Sequence, residues 1–560
     1  MNEPADDGHP VPPKKRIDIH DWMQNVSGAL KQRGQLAKSK WVKRSEFVRR
    51  WIPKVIWGCA IEIVIHVAGH TYQFGPLVAA QNWGLDVANR LSVRHCSIFG
   101  HCPDSEPLVS RPILVRIDDE TWRDPAWGGG EPERAPRTEL ADLVDHAFQL
   151  GARQVIVDIA VEDRPSPRAS PSIREGGSAQ TEPVREPFAY SLEPLLTKTY
   201  FGLDRKLILV RAERRPLPID EGQFLPELKQ SASVDRLIAK SNDRVSAAAP
   251  YFEVSSDQVL REWDLFRVVC ERQPGVANDG RMRVVPSVQL LTRAHDHGIP
   301  SNVVEPLPST PCQPFPQQGL HDASQSTIGQ APCEKTPAGD ESHEPDELCP
   351  SSQSSKGTAE LKRKYWDGVQ AAFLAASAPI GELPDVGDVG NRIVFRYTPD
   401  KVDVLPALQL LSASGEFMQQ WRDQVRGRVV VIGQTFEEAG DKYFTPLGRM
   451  PGAVVLVNAI DSMARSQLMR EPGLHVFIFS ILTILMVSYI SARVPPLFAT
   501  TIATLVVIVV SGGASFLFYS NGIWLDFSAP IIGIQIERWI ESIKERRELS
   551  ESSTESIEEE

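Results

Sequence analysis

The sequence predicts an α/β domain with a largely parallel sheet, accompanied by four membrane-crossing helices, one N-terminal and three C-terminal. Three observations predict it. Short β-branched runs alternate with helical periodicity through the middle of the chain, as in strand–helix–strand units. Four long apolar segments flank that middle. Charge is segregated along the 560 residues: the first 54 carry twelve Lys/Arg against six Asp/Glu, although the whole chain is net −12. The overall composition, 42% hydrophobic and 24% charged, is near a soluble average. It excludes a disordered chain and, with the acidic balance, a basic nucleic-acid binder.

The run Pro112–Ile117 (PILVRI) reads as a strand ending in Asp118, Asp119 and Glu120. Thr138–Leu150 places Leu140, Leu143, Val144, Ala147 and Leu150 on one helical face, and Gly151 stops it. Gln154–Ile159 is the next strand, so this βαβ unit predicts parallel strands. Further strands are read at Lys206–Val210, Arg283–Val285, Arg392–Tyr397, Arg428–Ile432 and Ala453–Val457, the last leading into a helix at Asn458–Met469. Residues 165–186 and 301–357 are rich in Pro, Ser and charged or amide residues. They are expected to be disordered surface insertions.

Leu474–Ala492 and Pro496–Tyr519 contain no Asp, Glu, Lys or Arg. Each is long enough for a hydrocarbon core of about 30 Å. Gly522–Ile536, extended to 540, is interrupted by Asp526 and Pro530, with an interfacial helix as the alternative. Val55–Phe74 is apolar but contains Glu62, His66 and His70, which share one helix face. Packing against other helices is the simplest role for these three; coupling or proton sensing is the alternative. Positive flanks predict the orientation. Residues 1–54 form a basic cytoplasmic arm, 75–473 lie outside, and 541–560 form an acidic cytoplasmic tail with eight Glu beside Lys544, Arg546 and Arg547. The expected location is the inner membrane, multi-pass, with lipid around it.

Seven cysteines are present. Cys96 and Cys102 are close enough in sequence to form a short disulfide in an oxidising compartment. The three cysteines of the 301–357 insertion have no metal-like spacing, metal binding by His66 and His70 is a remote option, and no cofactor motif is present.

Five segments, in order, resemble a known family: Val115–Trp122, Arg137–Asp163, Asn278–Pro286, Arg428–Pro446 and Met450–Met463. They are similar to the second class of CHASE domains, the cyclase/histidine-kinase-associated sensory extracellular domains of bacteria. The resemblance implies a sensory domain between membrane helices, signalling to something cytoplasmic. The chain departs from that pattern at Trp122–Trp127, which is followed by three glycines, and in the 301–357 insertion. The twenty residues after the last apolar segment are too few for a kinase or cyclase, so a separate cytoplasmic signalling protein is the expected partner. Homo-oligomerisation is also expected.

Candidate ligand-binding residues follow from position. Asp118, Asp119 and Asp158 end what read as adjacent strands, where ligands of open α/β sheets bind. Carboxylates there suit a cation or a polar ligand; turn and cap duty is the alternative. Asp279 and Arg283 surround a turn, and Arg283 can face an acidic ligand or form a structural ion pair. Thr435 and Asp441 lie in a loop with Gly433 and Gly440 that permits close backbone approach. No HExxH, G-x-S-x-G, Walker A or CxxC sequence points to an enzyme. The reading is a non-enzymatic sensor of an unidentified extracytoplasmic ligand; a membrane scaffold or an anchored extracytoplasmic enzyme are the alternatives.

Overall fold

The computed structural model describes residues 75–94, 111–127, 136–159, 191–311 with interruptions, 351–377, 391–465 apart from residue 414, and 474–494, together with scattered further positions. The chain divides into two units. The larger comprises 81–472 and 515–525, and the smaller 1–80, 473–514 and 526–560.

The larger unit opens with most of helix α1 (Gly75–Arg94). Strand β1 (Ile113–Ile117) runs into the short helix α2 (Asp119–Arg123). Helix α3 (Arg137–Gln149) leads to β2 (Gln154–Asp158), then β3 (Lys206–Val210). Helix α4 (Ala232–Lys240) precedes β4 (Val245–Ala248). A meander of β5 (Leu260–Trp263), β6 (Phe266–Arg272) and β7 (Gly280–Pro286) ends in α5 (Val288–Asp296). Helix α6 (Ser351–Ala375) follows, then β8 (Val404–Pro406), α7 (Ala407–Leu411), α8 (Gly415–Val425) and β9 (Val429–Gln434). The hairpin β10 (Lys442–Thr445) and β11 (Gly448–Pro451) delivers the chain to α9 (Gly452–Ala464).

The main sheet has six strands in the order β8-β1-β9-β2-β3-β4, and every pairing is parallel. This agrees with the expected parallel α/β domain. Register explains why it needs two covers. Leu114, Val431, Ile156 and Ile208 are cross-strand partners and share one face, while Val115, Ile432, Val157 and Leu209 share the other. The first set packs in a core with α5, α6 and α9, and the second in a core with α3, α4 and α7. A strand apolar on both faces is stable only between two layers of helices. All five α3 residues expected on its apolar face are buried.

Several expectations are corrected. The strands β1 and β2 are parallel but not neighbours, because β9, nearly three hundred residues later, lies between them. Residues 453–457 are helical, not a strand: α9 begins at Gly452 and is buried on every side through Met463. A short apolar run has no amphipathic period to distinguish the two. Of the expected strand 392–397, only Arg392 pairs, as part of the two-residue strand Asn391–Arg392 beside β5. The expected disordered insertion is ordered at its edges: Ser301–Val304 is helical, Thr310–Pro311 pairs with β7, and α6 starts at Ser351.

The expectation of four membrane-crossing helices is also overturned. Among the described residues, no helix is long and apolar enough to cross a membrane. In the smaller unit, α10 (Leu474–Arg493) is helical as read. It buries Thr483 and Ser488 beside Val487, and the Thr483 hydroxyl donates to the Phe479 carbonyl at 2.9 Å. Segments 55–74, 496–519 and 522–540 fall largely outside the described residues, as do Glu62, His66, His70, Cys96, Cys102 and Asp279.

Candidate functional site

The carboxyl ends of β1, β9 and β2 lie side by side, and five candidate residues collect there. Three of them are structural. Asp118 caps α2: its carboxylate accepts from the Thr121 amide at 3.1 Å and the Thr121 hydroxyl at 2.9 Å, and pairs with Arg116 at 3.1 Å. Capping is what Asp does best at such a position. Asp119 accepts from the Glu437 amide at 3.3 Å and so ties the loop after β1 to the loop after β9. Trp122 and Phe436 reinforce that tie, stacked with centroids 4.3 Å apart and planes 7° from parallel. Thr435 extends the β1–β9 ladder, its amide donating to the Ile117 carbonyl at 2.9 Å.

Asp158 and Asp441 differ from these. Asp158 ends β2 opposite Gly433 in register. A Cβ built at Gly433 would sit 2.4 Å from the Ala453 Cβ and 3.7 Å from the Asp158 Cβ, so only glycine lets α9 approach the sheet this closely. At the first residue of α9, a Cβ on Gly452 would lie 2.1 Å from one Asp441 carboxyl oxygen. The Asp441 carboxyl therefore occupies the space a side chain would fill at the helix N-terminus. The Gly452 amide also donates to the Asp441 carbonyl at 2.9 Å.

Their electrostatics follow from this packing. Burial, and then the charge of Asp441, push the Asp158 carboxyl up to about 8. Among the described residues none donates a hydrogen bond to it. Burial raises Asp441 too, opposed by a hydrogen bond with Tyr443. Two partly buried carboxyls whose charges act on each other do not both ionise as readily as free ones. Such a pair can hold a proton or hydrogen-bond a polar ligand. No cluster of three or more His, Cys, Asp or Glu suited to a metal exists among the described residues. Arg283 is not part of this group. It lies on β7 opposite Val269 of β6, in a separate sheet.

A second polar region went unread in the sequence. Residues 393–397 lie between α1 and α9; the Ile393 amide donates to the Arg261 carbonyl at 2.7 Å, and the next four amides are held by side chains. The Asn89 Oδ1 of α1 accepts from the Phe395 amide at 3.1 Å. From α9, Asn458 Oδ1 accepts from the Arg396 and Tyr397 amides at 2.8 and 2.9 Å, and Ser462 Oγ accepts from Val394 at 3.1 Å. Asn458 Nδ2 returns a bond to the Tyr397 carbonyl at 3.1 Å. Asp461, fully buried, is compensated by Arg465 at 2.9 Å through both oxygens and by the Tyr397 hydroxyl at 3.3 Å. Helix α1 is further anchored by Arg261, whose guanidinium bonds both carboxyl oxygens of Asp86 at 2.8–2.9 Å. The sequence carries a signal for this region. Asn458, Asp461 and Ser462 are the polar residues of an otherwise apolar helix, at i, i+3 and i+4.

The larger unit also holds a serine–histidine contact, His295 Nε2 to Ser301 Oγ at 2.9 Å. Ser301 and the His295 ring are buried, His295 Nδ1 has no partner among the described residues to orient it, and burial pushes the ring down to about 3. Ser301 instead bonds Ser246 at 2.8 Å and, through its amide, Asp243 at 3.0 Å. These contacts join α5 to the sheet and leave no accessible nucleophile there.

The parallel sheet, the acid-lined strand ends and the glycine-seated helix span a region that a family model also recognises. The CHASE2 domain model matches residues 63–492. The chain belongs to the CHASE2 domain family, a family of sensory extracellular domains rather than catalytic ones. Neither the curated proteins nor the solved structures yield a match.

Proposed function

We propose that this protein detects a stimulus through its extracellular CHASE2 domain and reports it to a separate signalling protein. One observation carries the reading: residues 393–397 are bonded on one side to α1 and on the other to α9. These are the first and last helices of the sensory region, and they lead to the two flanking segments of the chain. A displacement of α9 is therefore felt by α1 through a chain of hydrogen bonds rather than through adaptable apolar contact. A ligand shifts an equilibrium only by its differential affinity for two arrangements. The closely fitted start of α9, beside Asp158 and Asp441, is where such a difference is largest. The basic residues 1–54 and the acidic residues 541–560 are the surfaces offered to the partner.

Affinity capture tests this with the full chain, a chain lacking 541–560, and the full chain carrying Asn458→Ala. The full chain should recover a signalling protein, the shortened chain should lose it, and Asn458→Ala should change the yield. Recovery of no signalling protein by any of the three defeats the reading.

A further inference from the structure

Three arginines of the larger unit are buried to nearly the same depth, but their donors are not met alike. Arg261 and Arg428 are each 2% exposed and Arg211 is 4% exposed. Every guanidinium nitrogen of Arg261 has a partner, shared between Asp86 and Asp257 at 2.8–2.9 Å. In Arg428, Nε donates to the Arg111 carbonyl at 2.7 Å, Nη1 to the Gln424 carbonyl at 3.1 Å, and Nη2 to the Pro112 carbonyl and to Asp403. In Arg211 only Nη2 is engaged, by the Asp235 carboxylate. Its Nε and Nη1 have no acceptor among the described residues. A buried guanidinium is costly unless its donors are met, so two unmet nitrogens at this depth point to an acceptor from outside the chain.

Position in the fold agrees. Arg211 directly follows β3, an interior strand of the parallel sheet, and its amide continues the ladder by donating to the Ala248 carbonyl at 2.9 Å. It therefore stands at the carboxyl end of a parallel strand, where ligands of open α/β sheets bind. Leu207 and Leu209 belong to the core with α4, so strand alternation puts Arg211 on that face, while Asp158 follows Ile156 onto the other. The Arg211–Asp235 contact confirms the side. Asp235 lies in the first turn of α4, where the helix dipole favours an anion. The Asp235 side chain is 40% exposed, which puts the guanidinium one contact from solvent.

We propose that Arg211 anchors a binding site for a small carboxylate-bearing solute, with its Nε–H and Nη1–H groups donating to the ligand carboxylate. Planar guanidinium and planar carboxylate match in shape, and hydrogen bonds between ions are the strong ones. Charge selects the carboxylate over a phosphate. Arg211 and Asp235 together are neutral, so a carboxylate adds a single negative charge beside Asp235, whereas a phosphate adds up to about two. The site lies on the opposite face of the sheet from Asp158 and stands whether or not the sensory role holds.

The test is thermal unfolding of the full-length protein at increasing sodium acetate, set against sodium chloride and against inorganic phosphate at the same ionic strength and pH. Acetate should raise the midpoint saturably and above chloride, as a ligand bound only by the folded state does. Arg211→Gln should weaken the acetate dependence about tenfold or more, the worth of a hydrogen bond between charged groups. Asp235→Asn should strengthen it several-fold, because it removes the negative charge that shares the guanidinium, and it carries the test if Arg211→Gln does not fold. A purely structural pair predicts a different result for Asp235→Asn, lower stability with no change in acetate dependence. Asp158→Asn, on the other face, should leave the acetate dependence as it is. The proposal is overturned if acetate does no more than chloride, if Arg211→Gln keeps the wild-type response, if Asp235→Asn leaves it unchanged, or if phosphate raises the midpoint more than acetate does. Acetate binding is read without any partner protein, so this site and the sensory role fail separately.

Discussion

Helix α9 meets two polar regions, and they are built on opposite principles. Along its length, Asn458, Asp461 and Ser462 are saturated, with the strap 393–397 and Arg465 supplying partners. At its start, Asp158 and Asp441 are crowded together, and only Asp441 has a described donor, Tyr443. A saturated buried network holds one arrangement, because any displacement leaves orphaned groups in a medium that cannot solvate them. An acid pair with few donors is held less firmly, because the charge on one carboxyl disfavours ionisation of the other. One helix thus has a firmly bonded shaft and a sparsely bonded, closely packed seat.

The contrast breaks most easily at the shaft. Asn458→Ala removes four hydrogen bonds and orphans the Arg396 and Tyr397 amides. A loss of about 3–5 kcal/mol is expected, read by urea unfolding; a loss below about 1 kcal/mol would mean the strap is held by something else.

At the seat the sign is reversed. A carboxyl raised in the folded state stabilises fully below its unfolded value, and that contribution fades as pH rises through the folded value. For Asp158 the window runs from about 4 to about 8, at up to about 1.4 kcal/mol per pH unit. Wild-type stability should fall across that window. Asp158→Asn should flatten the profile and gain roughly 2–4 kcal/mol at its alkaline end, with solvent near the strand end reducing the full linkage value. A variant with an unchanged slope would remove the distinction between shaft and seat.

Gly433→Ala probes the closeness of that seat. Its new methyl would lie 2.4 Å from the Ala453 Cβ, with an expected cost of about 1–3 kcal/mol in thermal unfolding and a loosened α9 start. Smallest is Asp118→Ala, at about 1 kcal/mol for a lost cap, with no effect on the Asp158 titration. An effect of Asp118 on that titration would merge two groups that the structure keeps apart.

Much of this was legible in the chain. The strands at 113–117, 154–158, 206–210 and 429–434 announced themselves through β-branched runs, and α3 through its period. Asp158 and Asp441 were both visible as strand-end or loop acids. Their pairing was not, because it depends on β9 inserting between β1 and β2, and no local pattern encodes strand order. Arg283 drew attention beside a turn signal but belongs to another sheet. The apolar run in α9 looked like a strand because burial on all sides erases amphipathic periodicity. The stretch 393–397 resembled a strand for a related reason: it is apolar and buried, but beyond Ile393 side chains of helices replace a neighbouring strand as partners of its amides.

By itself, then, the sequence determined the α/β class, the positions of the central strands, the family and the acids at the strand ends. Each of these is encoded in residues close to one another along the chain. Tertiary structure alone decided which acids meet, which are spent on capping, and that the first and last helices of the sensory region share one strap. Those outcomes depend on contacts across hundreds of residues. There, burial raises an ordinary Asp above the usual carboxylate range and makes an ordinary Asn a structural tie, a change of chemistry that residue identity does not contain.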